Sequence, residues 1–213
     1  MELLKLGYDN KILLDSNFID KNSYWLSSFP QGGDDWKNLR GHFFSASNFG
    51  YGVGHGLQFK TPEDLALVMK GLKTEEYNFA MQMGNRYEAK ARDLYMEFNK
   101  VYVAEVGLAV PKWNTKISAS SDGLVGDDGC IEIKCPKTMY KSYFNFSIDK
   151  MFKTHYDQVQ GNMAIYNRKW CDYVVYAWDE DTYFEKRIPF DKNYWENDLL
   201  PKINLFLTTH FNQ

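Results

Sequence analysis

Two carboxylates and an amine occur close together in this 213-residue chain, and their types and spacing could perform chemistry. Glu132 follows Asp122 by ten residues, and Lys134 follows Glu132 after a single isoleucine. Because side chains alternate between the faces of a β-strand, Glu132 and Lys134 point to one face and Ile133 to the other. The stretch Gly126–Gly129 has the composition of a hairpin turn, which would bring Asp122 alongside the pair. The sequence therefore predicts an acid–acid–amine cluster on the open face of a hairpin.

This cluster suits the hydrolysis of phosphodiester bonds. Asp122, Glu132 and the backbone carbonyl of Ile133 offer oxygen ligands, which Mg²⁺ and Mn²⁺ prefer. Bound ions, of which we expect two, would polarise the phosphate and lower the pKa of a water molecule. Lys134 would orient or deprotonate that water and offset the charge of the transition state. An exposed hairpin face with a Glu/Lys pair and no function is the alternative, because this pattern is short and degenerate. The hairpin, its alternating apolar face, the Ser-Asp-Gly before it and the Cys-Pro after it agree with a nuclease of the PD-(D/E)xK type, which we favour together with the resemblance given below.

Hydrophobic periodicity and turn signals predict the elements that must position the cluster. Two glycine-containing stretches, Ser27–Asn38 and Gly50–Gly56, are expected to be loops. We expect, in chain order, helices starting at Thr61 and at Thr74, the second reaching about Asn99, strands Val101–Val110, Ile117–Val125 and Cys130–Cys135, a helix with apolar residues from Phe152 to Tyr166, strands Tyr173–Trp178 and Tyr183–Phe190, and a closing helix capped by Asp191 and bent or divided at Pro201.

This order favours a mixed α/β (α+β) fold, with a central mixed sheet flanked by helices. We expect a single domain over residues 1–213. Its N-terminal helical part would span about 1–100, its catalytic sheet core about 101–190 and its C-terminal helix about 191–210.

A further acid, Glu88, falls on the apolar face of the second predicted helix, between Gly84 and Ala91. A carboxylate on the inner face of a helix is costly unless a partner compensates its charge. The helix alone favours a salt bridge to a nearby Lys or Arg, and a metal ligand is the alternative.

Composition and charge exclude several classes of protein. The net charge of −3 argues against a uniformly basic surface that coats nucleic acid, although a local basic channel remains compatible with it. Three cysteines without a CxxC pair argue against a disulfide framework or a zinc cluster. The first residues lack a long apolar run, and no stretch of about 18 apolar residues occurs. We therefore expect a soluble, cytoplasmic protein that is neither secreted nor membrane-bound, in the host cell if its source is a phage or virus.

Asp122–Leu124 and Glu132–Pro136 resemble the corresponding motif of the bacteriophage lambda exonuclease family, also called YqaJ-like viral recombinases. Gln31–Arg40, followed by Ser45-Ala46-Ser47, is similar to the N-terminal motif of that family. The helix motif of the family, which ends in an acid, resembles Met83–Glu88. The glutamine motif of the family resembles Gln158-Val159-Gln160. The matches occur in the family order from about residue 31 to residue 166.

The resemblance implies a restriction-endonuclease-like core and a 5′→3′ exonuclease that acts on double-stranded DNA ends. Such an enzyme releases mononucleotides and leaves 3′ single-stranded overhangs for recombination or repair. The resemblance also implies a ring-shaped homotrimer around the duplex and a single-strand annealing protein as partner. Two other functions remain open: a RecB-like or restriction-type nuclease of different polarity, and a catalytically silent module that binds DNA ends.

Carried onto this sequence, the resemblance implies that Asp122 and Glu132 are metal ligands and that Lys134 activates the water. It changes the interpretation of Glu88 to a further active-site acid and metal ligand. Gln158 would reach the water or Lys134, and a purely structural glutamine is the alternative.

The resemblance also implies a pocket for a terminal 5′ phosphate formed by Arg40, Ser47 and Ser120. An arginine with hydroxyl groups suits that oxygen-rich dianion. Trp36 would stack on or wedge the terminal base pair, and an ordinary buried tryptophan is the alternative.

The sequence departs from the family pattern just after the Cys-Pro element, where the family often has a basic residue that completes the phosphate pocket. The matching position is Tyr140, flanked by Lys137 and Lys141, which we take as candidate DNA contacts. The degree of dependence on a 5′ phosphate is left open by this departure.

Overall fold

The structure is a computed structural model that describes residue 7 and residues 17–74, 79–139 and 153–211. Predictions on Tyr140, Lys141 and Phe152 lie outside the described residues, as does the stretch 75–78 at the predicted start of the second helix.

Short strands and helices alternate along the described residues. The strands are β1 (Phe18–Lys21), β2 (Tyr24–Ser27), β3 (Phe44–Ser45), β4 (Ala109–Pro111), β5 (Ile117–Ser118), β6 (Gly123–Val125), β7 (Gly129–Lys134), β8 (Trp170–Ala177) and β9 (Thr182–Pro189). The helices are α1 (Asp34–Arg40), α2 (Ala46–Gly52), α3 (Pro62–Met69), α4 (Phe79–Asn99), α5 (Lys153–Tyr166), α6 (Lys192–Tyr194) and α7 (Leu200–Phe211).

The main sheet is mixed and has the strand order β6-β7-β8-β9. The predicted hairpin joins β6 to β7, with Gly123 opposite Ile131. Strands β7 and β8 are parallel, a pairing that needs a crossover, and α5 supplies it. Strand β9 returns antiparallel to β8. A mixed sheet at the centre of an α/β fold is therefore confirmed.

Helices cover both faces of this sheet, so β7 presents its two sets of side chains to different neighbours. Ile131 and Ile133 pack in one core with Ala91 and Tyr95 of α4. On the opposite face, Cys130 belongs to the larger core that contains the apolar residues of α5. Because Glu132 and Lys134 alternate with the isoleucines, they face α5. The prediction that this face of the hairpin is open was therefore wrong, since Gln158 and Asn162 of α5 cover it.

A close contact between α2 and α5 explains why part of the predicted loop Gly50–Gly56 is helical instead. A Cβ atom on Gly50 would lie 2.6 Å from the Cα of Thr154, and one on Gly161 would lie 2.7 Å from the ring of Phe49. Glycine is therefore required for the approach of the two helices rather than for flexibility. The prediction of a loop was wrong for Gly50–Gly52, and likewise for residues 34–38, which belong to α1.

The sequence predicted a helical N-terminal part. In the structure this part also contains strands β1 and β2, which form a sheet with β4. The predicted strand Val101–Val110 is reduced to β4, preceded by a single bridge between Ala104 and Leu124. The predicted strand Ile117–Val125 is divided into β5 and β6. The cause is the buried Ser121 hydroxyl, which bonds the carbonyls of Gly123 and Ile131 and bends the chain there.

The C-terminal helix follows the prediction. The carboxylate of Asp191 caps it by accepting from the backbone N–H of Tyr194 at 2.9 Å. A π-helical turn, Trp195–Leu199, ends two residues before Pro201, which has no N–H to continue the helical ladder. Among the described residues, no helix combines the length and apolarity needed to cross a membrane.

Candidate active site

Glu132 is the buried centre of the predicted cluster, with only 2% of its surface exposed. Its Oε1 accepts a hydrogen bond from Lys134 Nζ at 2.7 Å. Its Oε2 accepts from the side-chain amide of Asn162 at 2.9 Å. Both carboxylate oxygens are thus held by neighbours, which fixes the orientation of the acid.

Lys134 links strand β7 to helix α5. Its Nζ also donates to Gln158 Oε1 at 3.0 Å, which is one of the two contacts that the resemblance implied for this glutamine. Burial lowers the pKa of Lys134, but attraction to Glu132 and Asp122 outweighs burial and the net pKa lies above the ordinary value. Glu132 and Gln158 use two of the three N–H donors of the ammonium, and the side chain lines the cavity described below.

Asp122 lies just before β6, where the hairpin brings it next to β7. Its Oδ2 accepts from the backbone N–H of Ile133 at 2.6 Å. Burial and the negative charges of Glu132 and Glu88 raise the pKa of Asp122 well above its ordinary range. The three acids therefore interact electrostatically, although they come from the residue before β6, from β7 and from α4.

Glu88 forms the salt bridge that the helix pattern alone favoured. Its Oε1 forms a salt bridge with Arg92 at 2.6 Å, and Arg92 forms a second one with Glu105 at 2.6 Å. Glu88 also lines the same cavity as Asp122 and Glu132. Burial raises its pKa, Arg92 opposes that rise, and the charge of Glu132 adds to it.

A cavity of about 240 Å³ brings most of the predicted site residues together. Lys137 is not among its lining residues, so its predicted DNA contact is not supported by the cavity. The predicted residues that line it are Trp36, Arg40, Ser47, Glu88, Ser120, Asp122, Glu132, Ile133, Lys134 and Gln158.

One side of the cavity is a cluster of hydroxyl groups around a guanidinium, which we call the Arg40 cradle: Arg40, Ser45, Ser47 and Ser120. Arg40 Nη2 donates to Ser47 Oγ at 2.5 Å, and Ser47 Oγ lies 3.0 Å from Ser45 Oγ. The buried Ser120 hydroxyl has no hydrogen-bond partner among the described residues. An oxygen-rich anion would satisfy such a group.

Trp36 packs beside this cradle. The guanidinium carbon of Arg40 lies 5.3 Å from the centre of its ring. The indole is partly exposed and lines the cavity, which places it where it could contact a terminal base.

Asn162 is the functional residue that the sequence analysis missed. It is completely buried and holds Glu132 from α5, one helical turn after Gln158. That spacing was the available signal, since residues four apart share a helix face. Gln31 was quoted only as part of a motif, and its amide donates to the carbonyl of Ser121 at 2.6 Å beside Asp122.

The donor set fits a divalent cation that prefers oxygen. Burial and the negative charge of Glu132 raise the pKa of both Asp122 and Glu88, and a cation would offset the charge of these acids. In the described part of the chain, no three His, Cys, Asp or Glu side chains are close enough to hold one ion by themselves. Asp122, Glu132 and the Ile133 carbonyl would therefore be the ligands in this arrangement, while Arg92 holds Glu88.

Comparison with known proteins identifies the family. The model of the YqaJ-like viral recombinase domain matches residues 35–169. The chain is 32% identical to an alkaline exonuclease (LHK-Exo) from Laribacter hongkongensis, with a TM-score of 0.69, covering 83% of this chain and 92% of that one.

Two further structures are similar. LHK-Exo in complex with dAMP gives a TM-score of 0.72 at 30% identity, covering 83% of this chain and 92% of that one. A phage-related exonuclease from Haemophilus somnus 129PT, at 18% identity and a TM-score of 0.56, covers 83% of this chain and 95% of that one and shows a shared fold. A search of curated proteins found no match. From the domain match and the similarity to LHK-Exo, this chain belongs to the YqaJ-like viral recombinase family.

Proposed function

We propose that this chain is a metal-dependent 5′→3′ exonuclease that acts on double-stranded DNA ends. It would release mononucleotides and leave 3′ single-stranded overhangs for recombination or repair. The observation that carries the proposal is a single cavity that holds Asp122, Glu132 and Lys134 together with the Arg40 cradle. A relative at 32% identity is an alkaline exonuclease, and it has been captured with dAMP.

The acids and the amine would have different roles in hydrolysis. Asp122, Glu132 and the Ile133 carbonyl would hold Mg²⁺ or Mn²⁺, with two ions in the site and Glu88 as a further acid and ligand. When bound, these ions supply Lewis-acid stabilisation of the phosphate and make water more acidic. Lys134, held at 2.7 Å from Glu132, would direct its remaining N–H towards the attacking water or a phosphate oxygen.

Gln158 and Asn162 would keep this arrangement fixed from one face of α5. Gln158 accepts from Lys134, and Asn162 donates to Glu132, so each half of the pair has a support on the same helix. Groups that are oriented in advance need no reorganisation when charge develops in the transition state.

The Arg40 cradle supports action at ends rather than within the duplex. Its guanidinium and hydroxyls suit a terminal 5′ phosphate, which carries more charge than an internal phosphodiester. Trp36 beside it would contact the terminal base pair. We further propose, from family membership alone, a homotrimeric ring around the duplex, a single-strand annealing protein as partner, and action in the cytoplasm.

A digestion assay with defined ends tests the proposal. Linear duplexes with a 5′-phosphate would carry a label at either the 5′ or the 3′ terminus, and a closed circular duplex would be the control. We expect Mg²⁺-dependent release of the 5′ label as a mononucleotide and no cleavage of the circle. Early release from 3′ ends, or cleavage of the circle, would instead favour a RecB-like or restriction-type nuclease, and binding without hydrolysis a silent end-binding module.

A further inference from the structure

A second cavity, of about 700 Å³, adjoins the active site. The residues that line both cavities are Arg40, Ser47, Lys134 and Gln158. The second cavity therefore begins at the Arg40 cradle and continues away from Asp122 and Glu132, which do not line it. A DNA strand that extended beyond a phosphate in the cradle would enter this space.

The lining of the second cavity differs in charge from that of the first. Lys60 and Lys73 add two cations to Arg40 and Lys134, and no carboxylate occurs among its described lining residues. Lys73 is paired with Asp64 at 2.7 Å outside the cavity, which offsets part of its charge. The first cavity, in contrast, contains Glu88, Asp122 and Glu132. The change from acidic to basic lining suits a DNA phosphate backbone that continues from the active site into the second cavity.

Aromatic side chains accompany these cations. Lys60 Nζ lies 5.5 Å from the ring centre of Tyr51, and Phe59 lines the cavity beside it. Phe59 is 68% exposed, although a phenylalanine ring is normally buried. Exposed aromatic rings beside lysines form the stacking surfaces of sites that bind single-stranded nucleic acid without sequence preference.

We propose that the second cavity binds single-stranded nucleotides on the 5′ side of the cradle, and so accepts DNA ends with a short 5′ overhang. This inference rests on the proposed function for the position of the scissile phosphate. Tail bases would stack on the exposed ring of Phe59, and tail phosphates would contact Lys60, which lies over the ring of Tyr51. Because the tail lies beyond the scissile bond, the first product from such an end would be an oligonucleotide that contains the tail.

The cleavage step is an ordinary hydrolysis. The oxygen of water forms a bond to phosphorus, the bond from phosphorus to the 3′ oxygen breaks, and that oxygen takes a proton. The released tail therefore ends in a 3′ hydroxyl, and the shortened strand keeps a 5′ phosphate. Later cycles from the new end would give mononucleotides.

Binding experiments in EDTA test the cavity without requiring hydrolysis. Fluorescence anisotropy would compare a hairpin duplex with one blunt 5′-phosphorylated end and the same duplex with a tail of three 5′ thymidines. We expect Phe59→Ala to weaken binding of the tailed duplex about fivefold or more, the lower range for loss of base stacking on an aromatic ring. Phe98→Ala is the matched control, because Phe98 is also exposed, at 58%, and lines neither cavity.

The two proposals fail in different ways. Equal affinity of the Phe59→Ala and Phe98→Ala variants for the tailed duplex would overturn the overhang site, even if blunt ends are digested normally. Absence of digestion from blunt ends would overturn the exonuclease, and the binding data would still decide about the cavity. With Mg²⁺, a tailed oligonucleotide as the first product supports the inference, and mononucleotides from the tail as first products contradict it.

Discussion

Asn162 offers a test of how the active site is held, because it contacts Glu132 and lies behind the reacting groups. Its amide donates to Glu132 Oε2 at 2.9 Å, and its own Oδ1 is buried without a partner among the described residues. Asn162→Ala would remove the hydrogen bond and leave a buried carboxylate oxygen unsatisfied. The acid could then turn away from Asp122 and Lys134.

The expected size follows from the charge of the acceptor. A hydrogen bond to a charged group contributes about 1.5–3 kcal/mol. If that energy serves to orient Glu132, its loss lowers the rate of hydrolysis by about 10- to 100-fold, since each 1.4 kcal/mol is about tenfold. Residues that support metal ligands show losses of the same order, about 10- to 100-fold.

Single-turnover digestion with enzyme in excess isolates the chemical step. Gln160→Ala is the matched control, because Gln160 is equally buried in α5 but bonds the carbonyl of Pro189 and the N–H of Asp191. Both variants should lose stability, and only Asn162→Ala should lose the large factor in rate. An Asn162→Ala protein that is folded and as fast as the wild type would refute a positioning role, as would equal losses in both variants.

Three further perturbations address the acids, the cradle and the packing. The raised pKa of Asp122 means that the folded state binds its proton more tightly than the unfolded state, so stability falls as pH rises above the ordinary value. Asp122→Asn should therefore raise the melting temperature in EDTA by about 2 °C or more at pH 8, and by less near pH 4. An equal rise in melting temperature at both pH values would show that the charge of Asp122 is not the reason. Arg40→Ala should reduce the preference for digesting 5′-phosphorylated over 5′-hydroxyl duplexes by about tenfold or more. If the wild type shows no such preference, the Arg40 cradle does not bind the 5′ phosphate. Gly50→Ala should destabilise the fold by about 1–3 kcal/mol in urea unfolding, because its Cβ would meet the backbone of Thr154, whereas Gly84→Ala, with open space, should not.

The sequence predicted the hairpin that carries Asp122 and Glu132 because its signals are local. The turn Gly126–Gly129 and the alternation around Glu132 are properties of consecutive residues, and both are found in the structure. The link from Lys134 to Gln158 was also anticipated, although it joins β7 to α5.

Predictions that depended on distant contacts were less successful. Gly50–Gly52 is helical because α5 packs against it, which no local signal reveals. Strand β2 pairs with β4, about 85 residues away, and β1 pairs with β2, so both strands were missed for the same reason. Asn162 was missed, although it lies four residues after Gln158 on the same helix face, because local spacing does not show its contact with Glu132, 30 residues earlier.

Lys134 provides the most direct test of the central claim that this cavity hydrolyses DNA from 5′ ends. Single-turnover digestion of a duplex labelled on its 5′-terminal nucleotide would compare the wild type, Lys134→Ala and the control Lys186→Ala, which changes an exposed lysine on β9. We expect the wild type and the control to release the labelled mononucleotide, and Lys134→Ala to bind the duplex without releasing it. Wild-type release by Lys134→Ala, or no release by the wild type with Mg²⁺ or Mn²⁺, would contradict the account.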